Sequence, residues 1–214
     1  MKSYICTAAV FGICCSYASA GMIVQSGSLP LSSTNWSEDF QINQFDDMGG
    51  LRILEEVCWT LTGYVEGTAA AESMDAAPAT INLTLSAIVS LSLGMTTLDV
   101  VLPLVMTSFN ATAFDGVVDF AGTSGATFSG LSNTDSVMNS TMMVAPFIGP
   151  GMVTLTGAAE GASTASGAGN LVASFSTNAS MEYEIVYKYS LIPTPGAAAL
   201  FGIAGLSMIR RRRA

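Results

Sequence analysis

The stretch Ala79–Leu93, ATINLTLSAIVSLSL, alternates between apolar and polar side chains, with Ile88 as the one apolar residue in the polar set. Its regularly spaced apolar positions are Ile81, Leu83, Leu85, Ala87, Val89, Leu91 and Leu93. Successive side chains of a β-strand point to opposite faces, so this spacing buries one face of a strand, whereas on a helix the same residues would scatter around the axis. The stretch therefore predicts a long strand that packs one face against a hydrophobic core.

Two other segments show the same period of two. The predicted buried positions are Leu51, Ile53, Val57, Trp59, Leu61 and Val65 in residues 51–65, and Met181, Tyr183, Ile185, Tyr187 and Tyr189 in residues 181–189. Six shorter strands are predicted over residues 35–42, 98–106, 117–120, 126–128, 151–156 and 170–177. Their enrichment in β-branched and aromatic residues supports strands rather than helices.

Turn-forming residues separate these segments. Gly, Pro and Asp are concentrated at residues 45–50, 77–78, 115–116 and 148–151, and residues 157–169 are predicted to be a flexible run. About nine strands with a turn every ten to fifteen residues predict an all-β fold, an antiparallel two-sheet sandwich of jelly-roll type. We expect it to be flanked by an N-terminal signal helix and a C-terminal hydrophobic helix.

The N-terminus has the three parts of a secretory signal peptide, expected over residues 1–20. Lys2 is basic, residues 4–15 are apolar, and Ala18 and Ala20 form a small-x-small cleavage signature. Three of the four cysteines would leave with the signal, so Cys58 has no intramolecular disulfide partner, and we expect it to be a buried small hydrophobe. The mature β-sandwich domain is expected over residues 21–190.

The C-terminal segment, residues 192–214, has the order of parts of a sorting or anchor signal. Its parts are the motif Pro193, Thr194, Pro195 and Gly196, an apolar run to Ile209, and the basic cluster Arg210, Arg211, Arg212 and Arg213. The arginines favour the cytoplasmic side of a membrane. The apolar run, residues 196–209, would be a helix of roughly 21 Å, shorter than the roughly 30 Å hydrocarbon core, so a sorting signal is favoured over a permanent transmembrane anchor.

This tail resembles the PEP-CTERM sorting segment of exported bacterial surface proteins. Thr194 stands where that family usually has Glu, and Gly196 follows as it does in the family's Thr variants. The resemblance implies insertion in the membrane through the C-terminal helix before processing by a sorting peptidase of the exosortase type. It also implies a location in the cell envelope, on the cell surface or in the extracellular matrix of a bacterium.

The mature region resembles the choice-of-anchor E domain. The resemblance begins with Phe45, Asp46, Gly49 and Leu51, continues weakly through residues 109–130 to the turn at residues 147–151, and ends in the alternating aromatic strand at residues 183–189. Such domains precede assorted bacterial surface anchors, including PEP-CTERM tails, and have no assigned activity. The resemblance implies a sandwich domain carried to the surface.

Charge and composition exclude several function classes. Residues 21–190 hold all sixteen acidic residues and only two basic ones, Arg52 and Lys188, for a formal charge of −14. This surface repels phosphate backbones, so we expect no nucleic acid as a partner. The chain has no histidine, which removes Ser-His-Asp chemistry and the usual zinc ligand. We expect that the protein is not an enzyme.

Three pairs of carboxylates are candidates for glycosidase-like catalysis. The pairs are Asp46 with Asp47, Glu55 with Glu56, and Asp115 with Asp119. Glu55 and Glu56 are neighbours in a predicted strand and should point to opposite faces, so they could not flank one bond. No base, nucleophile or cofactor motif accompanies any pair.

Two binding hypotheses remain beside a purely structural role. Asp46, Asp47, Asp115 and Asp119 lie in turn-like sequence and offer oxygen ligands for calcium, although aspartate also favours turns for its own local hydrogen bonds. Trp36, Trp59 and Tyr64 are the candidates for a sugar-binding platform, with Trp59 expected in the core and Trp36 exposed. We expect an exported non-enzymatic surface or matrix protein. The alternative is a calcium-dependent carbohydrate-binding module associated with exopolysaccharide.

Overall fold

A computed structural model of the protein describes residues 20–192. Its ten strands are β1 (Ala20–Ser33), β2 (Trp36–Asn43), β3 (Arg52–Ser73), β4 (Ala79–Leu93), β5 (Thr96–Val101), β6 (Leu104–Ala111), β7 (Gly125–Thr141), β8 (Met152–Gly161), β9 (Thr164–Ser166) and β10 (Leu171–Leu191). One 3₁₀ turn, Ala145–Phe147, precedes β8. Within the described range no helix has the length and apolar character that crossing a membrane requires. The predicted signal helix and C-terminal hydrophobic helix fall on residues 1–19 and 193–214, outside that range.

The strands form two antiparallel sheets packed face to face, so the predicted all-β sandwich is confirmed. A four-stranded sheet has the order β1-β10-β3-β7, and a second sheet has the order β2-β8-β4-β5, with β6 and β9 also paired to β4. Every ladder between these strands is antiparallel. The inner faces of the two sheets enclose the core.

The strand predicted from residues 79–93 has those bounds in the structure. Ile81, Leu83, Leu85, Ala87, Val89 and Leu91 are each 0% exposed. Ser86, in the polar set, is buried as well, and its hydroxyl donates to the carbonyl oxygen of Ala162 at 2.7 Å. Strand β4 has ladder partners on both sides, which explains this extra burial.

The predicted strand at residues 51–65 is longer in the structure, and its first residues face the other way. Lys188 pairs with Glu56 and Tyr189 with Leu54, so Glu55 is an extra residue in β3. This bulge reverses the alternation. Leu54 is buried, whereas Leu51 and Ile53, which were predicted to be buried, are 47% and 50% exposed.

Other predicted boundaries need correction. Residues 170–177 and 181–189 belong to one strand, β10, which lies between β1 and β3, and residues 126–128 are the start of the long strand β7. Residues 98–106 are divided between β5 and β6, because Pro103 has no N–H to continue the ladder. Residues 117–120 form a loop, with Phe120 at φ 56°. The run predicted to be flexible, 157–169, contains the end of β8 and all of β9, and β1 was not predicted.

Both ends of the described chain lie at one end of the sandwich. Ala20 pairs with Ser190 across β1 and β10, and Leu191 pairs with Arg52 at the start of β3. The N–H of Ile192 then donates to the carbonyl oxygen of Leu51 at 2.9 Å. The chain therefore enters and leaves through the same end of the four-stranded sheet.

Candidate functional site

A polar groove of about 340 Å³ crosses the outer face of the four-stranded sheet. Its lining residues are Ser26, Gly27, Ser28, Thr60, Thr62, Glu182, Tyr183 and Glu184. The register sets them in two rows. Glu182 lies between Ser28 and Thr62, and Glu184 lies one row below, between Ser26 and Thr60.

The strand period explains which side chains line this groove. Even-numbered residues of β10 point outward in this region, whereas Met181 and Ile185 are buried. Tyr183 is turned toward the second sheet and stacks on Phe40, with ring centroids 4.2 Å apart. Burial raises the pKa of Tyr183 above its ordinary value. A Cβ on Gly27 would overlap the Tyr183 hydroxyl, so a larger residue there would require this ring to shift.

The polar side chains that line the groove are carboxylates and hydroxyls. Glu182 and Glu184 are exposed carboxylates two residues apart, flanked by hydroxyls on both neighbouring strands. The ion pair of the described region lies elsewhere, with Lys188 Nζ 2.8 Å from Glu56 Oε2. Their hydrogen bond holds the pKa of Glu56 below and that of Lys188 above the ordinary values. The groove can accept hydrogen bonds from hydroxyl-rich ligands or hold a hydrated cation.

The structure places the four predicted calcium-binding aspartates in turns. Asp46 accepts from the N–H of Met48 at 2.8 Å, and Asp47 accepts from that of Gly49 at 3.0 Å. In the same way, Asp115 accepts from Val117 at 3.1 Å and Asp119 from Ala121 at 2.9 Å. Each carboxylate therefore closes its own turn in the way expected of aspartate.

The two aspartate pairs lie at opposite ends of the sandwich. The carbonyl oxygen of Asp47 accepts from the N–H of Arg52 at the start of β3, whereas Asp115 follows Phe114, whose N–H donates to Asp75 just after the end of β3. The 22 residues of β3 span roughly 70 Å at about 3.3 Å each. Within residues 20–192 no group of three or more His, Cys, Asp or Glu side chains is placed to hold a metal ion.

The three aromatic candidates do not form a platform. Trp59 is 4% exposed, as expected, and its Nε1 donates to Asp99 Oδ2 at 3.0 Å. Trp36 was predicted to be exposed, but it is half-buried against the core, with no partner for its Nε1 among the described residues. Tyr64 is half-buried and donates to Glu66.

The expectations for the Glu55–Glu56 pair and for Cys58 need correction, because these residues lie on the outer face of β3. Because Glu55 is the extra residue of the bulge, neither Glu55 nor Glu56 points into the core, so they do not lie on opposite faces. Cys58 was predicted to be buried but is half-buried, between the core residues Val57 and Trp59. Its position belongs to the outward set of β3.

Sequence reasoning missed one buried carboxylate. Glu72, near the end of β3, is 0% exposed, and its Oε1 accepts from the Ser124 hydroxyl at 2.5 Å. Its Oε2 has no hydrogen-bond partner among the described residues. The only sequence signal is a glutamate directly after the small residues Ala69–Ala71, which allow close packing but do not predict it.

Comparisons with known proteins identify no family. No family model matches the chain, and no curated protein matches it. Among solved structures it is similar to "Structure of infectious bursal disease virus Gx strain", at 12% identity and a TM-score of 0.20, over 92% of this chain and 49% of that chain. It is also similar to a structure of the T13 IBDV viral particle, at 12% identity and a TM-score of 0.16, over 82% of this chain and 41% of that chain. The chain spans less than half the length of these chains, and such TM-scores carry no inference about function.

Proposed function

We propose that the protein is an exported, non-enzymatic bacterial surface or matrix protein, delivered by the signal at residues 1–20 and the sorting tail at residues 192–214. The observation that carries this proposal is the pairing of Ala20 with Ser190. A signal that ends at Ala20 and a tail that begins at Ile192 would both be attached at that end of the sandwich.

The geometry suits processing at both sites. Cleavage after Ala20 removes only the first position of β1, since pairing continues from Gly21 opposite Tyr189. The tail follows β10, which is held by β1 on one side and β3 on the other. A sandwich attached through a central strand resists being pulled apart from its anchor, because two ladders hold that strand.

The test is to express the full chain in a bacterium with and without a sorting peptidase of the exosortase type. We expect intact-mass measurement to give Gly21 as the first residue in both hosts, and the C-terminal mass to fall only in the host with the peptidase. Replacing all four arginines, Arg210, Arg211, Arg212 and Arg213, with alanine should abolish the second change. Recovery of the chain from the cytosol, uncut at Ala20, would overturn the proposal.

A second candidate function is the calcium-dependent carbohydrate-binding module, with exopolysaccharide as partner. The observation that favours it is the groove, which sets Glu182 and Glu184 beside four hydroxyl side chains. The test is binding to the producer's exopolysaccharide with calcium and with a chelator. The double variant Glu182→Gln/Glu184→Gln should lose binding, and Glu160→Gln, an exposed acid on β8, should retain it. Absence of wild-type binding, or binding that is the same with calcium and with the chelator, would refute this function. Equal binding of the wild type and the double variant would refute the groove as its site.

We also propose that the sandwich is a jelly roll. Strands β5 and β6 succeed each other along β4, as β8 and β9 do on its other side. When each of these pairs is counted as one strand, eight strands form two four-stranded sheets, and the first strand lies beside the last. Eight strands in two sheets are typical of that fold.

A further inference from the structure

We propose that the end of the sandwich from which both chain termini emerge docks on a lipid bilayer through exposed apolar side chains. This inference rests on the proposed function, because it requires the tail to enter a membrane before it is processed. It adds a partner surface for the folded domain, which the targeting segments alone do not specify. The docking surface is called the apolar end below.

The apolar end consists of strand ends and of the two loops that close the sandwich there. Its exposed large side chains are Met22, Met48, Leu51, Ile53, Met142, Met143, Ile148, Met152, Leu191 and Ile192. The register places them at the same end of the sandwich. Ile53 pairs with Ser190, Met22 with Lys188 and Met152 with Asn43, while Phe45 bridges to Ile148. Met142 and Met143 follow β7 directly.

Several of these side chains are largely exposed to solvent. Met142 is 83% exposed, Met143 80% and Met22 69%. A soluble surface rarely gathers so many large apolar groups in one place, and such a patch marks a contact with another apolar phase. Unbranched, flexible methionine side chains adapt to a fluid partner.

The opposite end of the sandwich differs in chemistry. Its exposed large apolar residues are Leu31, near the end of β1, and Met74, Val117 and Val118, on the described segments that follow β3 and β6. Asp75, Asp115 and Asp119 lie on those same segments. The two ends therefore differ in apolar content, so only one of them is suited to face a membrane.

The length of the tail's first part brings the apolar end to the bilayer. Ile192 is held at the sandwich by its hydrogen bond to Leu51, and the apolar run begins at Gly196. Four residue steps reach at most about 14 Å at 3.3–3.6 Å each. Once the run enters the hydrocarbon core, the domain cannot lie farther away than this, and each polar layer of the bilayer is itself several ångströms thick. The apolar end is therefore held against the interface.

Charge at the apolar end does not attract anionic lipid. Both basic residues of the domain are there: Lys188 pairs with Glu56, and the Arg52 guanidinium carbon lies 5.1 Å from the centre of the Tyr189 ring. Asp46, Asp47 and Glu55 share this end, so its net charge is not positive. Apolar contact must supply the attraction, and anionic lipid should weaken docking, because the acidic domain and the lipid headgroups carry charge of the same sign.

The test uses the full chain with its four native cysteines replaced by serine, reconstituted into vesicles of phosphatidylcholine with and without 25% phosphatidylglycerol. Single cysteines at Ile53 or Met143 carry an environment-sensitive fluorophore, and Val118→Cys is the matched control at the opposite end. Leu200→Cys reports on insertion of the tail. Lipids bearing a nitroxide near the headgroup quench a fluorophore that lies in the interface, and iodide quenches one that lies in water.

In phosphatidylcholine vesicles we expect lipid quenching at positions 53 and 143 to exceed that at position 118 at least threefold, with protection from iodide. Phosphatidylglycerol should lower this lipid quenching rather than raise it. If the fluorophore at position 200 is quenched by lipid while those at positions 53 and 143 behave like the one at position 118, docking of the apolar end is refuted. Insertion of the tail in the membrane is then still supported. If position 200 is not quenched, the proposed function fails as well. Protection from iodide without lipid quenching would mean that protein, rather than lipid, covers the apolar end. If that protection changes with protein concentration, the cover is a second copy of the chain; if it does not, the cover is the tail itself. Either result overturns the proposal.

Discussion

Tyr187 shows how a single polar group is accommodated in this core. It is 1% exposed, its ring meets the edge of Phe45 with centroids 6.2 Å apart, and its hydroxyl donates to the carbonyl oxygen of Asn43 at 2.8 Å. The ring thereby joins β10 of one sheet to the end of β2 in the other. A buried tyrosine usually has such a partner, since an unpaired hydroxyl in a core is costly.

The titration of Tyr187 should make the fold sensitive to alkali. Burial raises the pKa of Tyr187 to about 12, although a hydrogen bond to Gln25 acts in the opposite direction. In the unfolded chain the pKa of a tyrosine is about 10. Because the folded pKa is the higher one, its stabilising contribution is complete below pH 10 and is lost as the pH rises toward 12. We expect the free energy of unfolding to fall by roughly 2–3 kcal/mol over that range.

Urea unfolding at pH 8, 10, 11 and 12, followed by tryptophan fluorescence, checks this expectation. Tyr187→Phe should lose about 1 kcal/mol at pH 8 with its hydrogen bond, and then decline less steeply above pH 10. Tyr64→Phe is the control and should keep the wild-type slope, since it leaves Tyr187 in place. A Tyr187→Phe variant that declines as steeply as the wild type would contradict the assignment.

At the scale of elements, the two ladders of the long strand β3 each contain one irregularity. One is the extra residue Glu55, and another is a register shift toward β7 between Gly67 and Ala69. A Cβ on Gly67 would overlap the backbone carbonyl oxygen of Ser176 in β10. The two strands approach so closely there that only glycine fits.

Gly67→Ala should therefore destabilise the protein by about 2–3 kcal/mol, because the atom in the way is backbone in a ladder and cannot rotate aside. Gly151→Ala is the matched control. Its Cβ would lie 3.4 Å from Gln44 Oε1, an ordinary contact, and should change stability by less than about 0.5 kcal/mol. Thermal unfolding followed by circular dichroism gives both values. Equal melting temperatures for the two variants would show that the backbone of β10 can shift away from residue 67 at little cost.

The accuracy of the predictions made from the sequence differs from strand to strand. Strand β4 was predicted to the residue because an apolar side chain stands at every second position from Ile81 to Leu93. The direction of Leu51 and Ile53 was wrong because a bulge leaves no mark in a hydrophobic pattern. Strand β1 was missed because its buried face is sparse, with glycines at positions 21 and 27 that admit the rings of Tyr189 and Tyr183. The groove was not predicted, since setting Glu184 beside Ser26 and Thr60 requires a register that only the folded sheets define.

At the scale of the whole molecule, acidic side chains hold the loops of one end together. The Asp75 carboxylate accepts from the N–H groups of Gly169 at 2.6 Å and Asn170 at 3.0 Å, and its backbone carbonyl accepts from Phe114 at 2.9 Å. One residue thus ties the loop after β6 to the turn before β10. Negative charge is used structurally here, with backbone N–H groups in place of cations.

Apart from Glu56, which pairs with Lys188, the acids of residues 20–192 have no salt-bridge partner among the described residues, and their mutual repulsion should depend on salt. With a formal charge of −14 over residues 21–190, compaction brings like charges together, and added salt screens them over about 10 Å at 0.1 M. We expect the melting temperature to rise by several degrees between 10 mM and 300 mM sodium chloride. The triple variant Glu160→Gln/Glu182→Gln/Glu184→Gln, which neutralises exposed acids, should start higher and rise less. A melting temperature that falls with salt in the wild type would mean that attractive ion pairs, rather than repulsion, dominate the charge energetics of the fold.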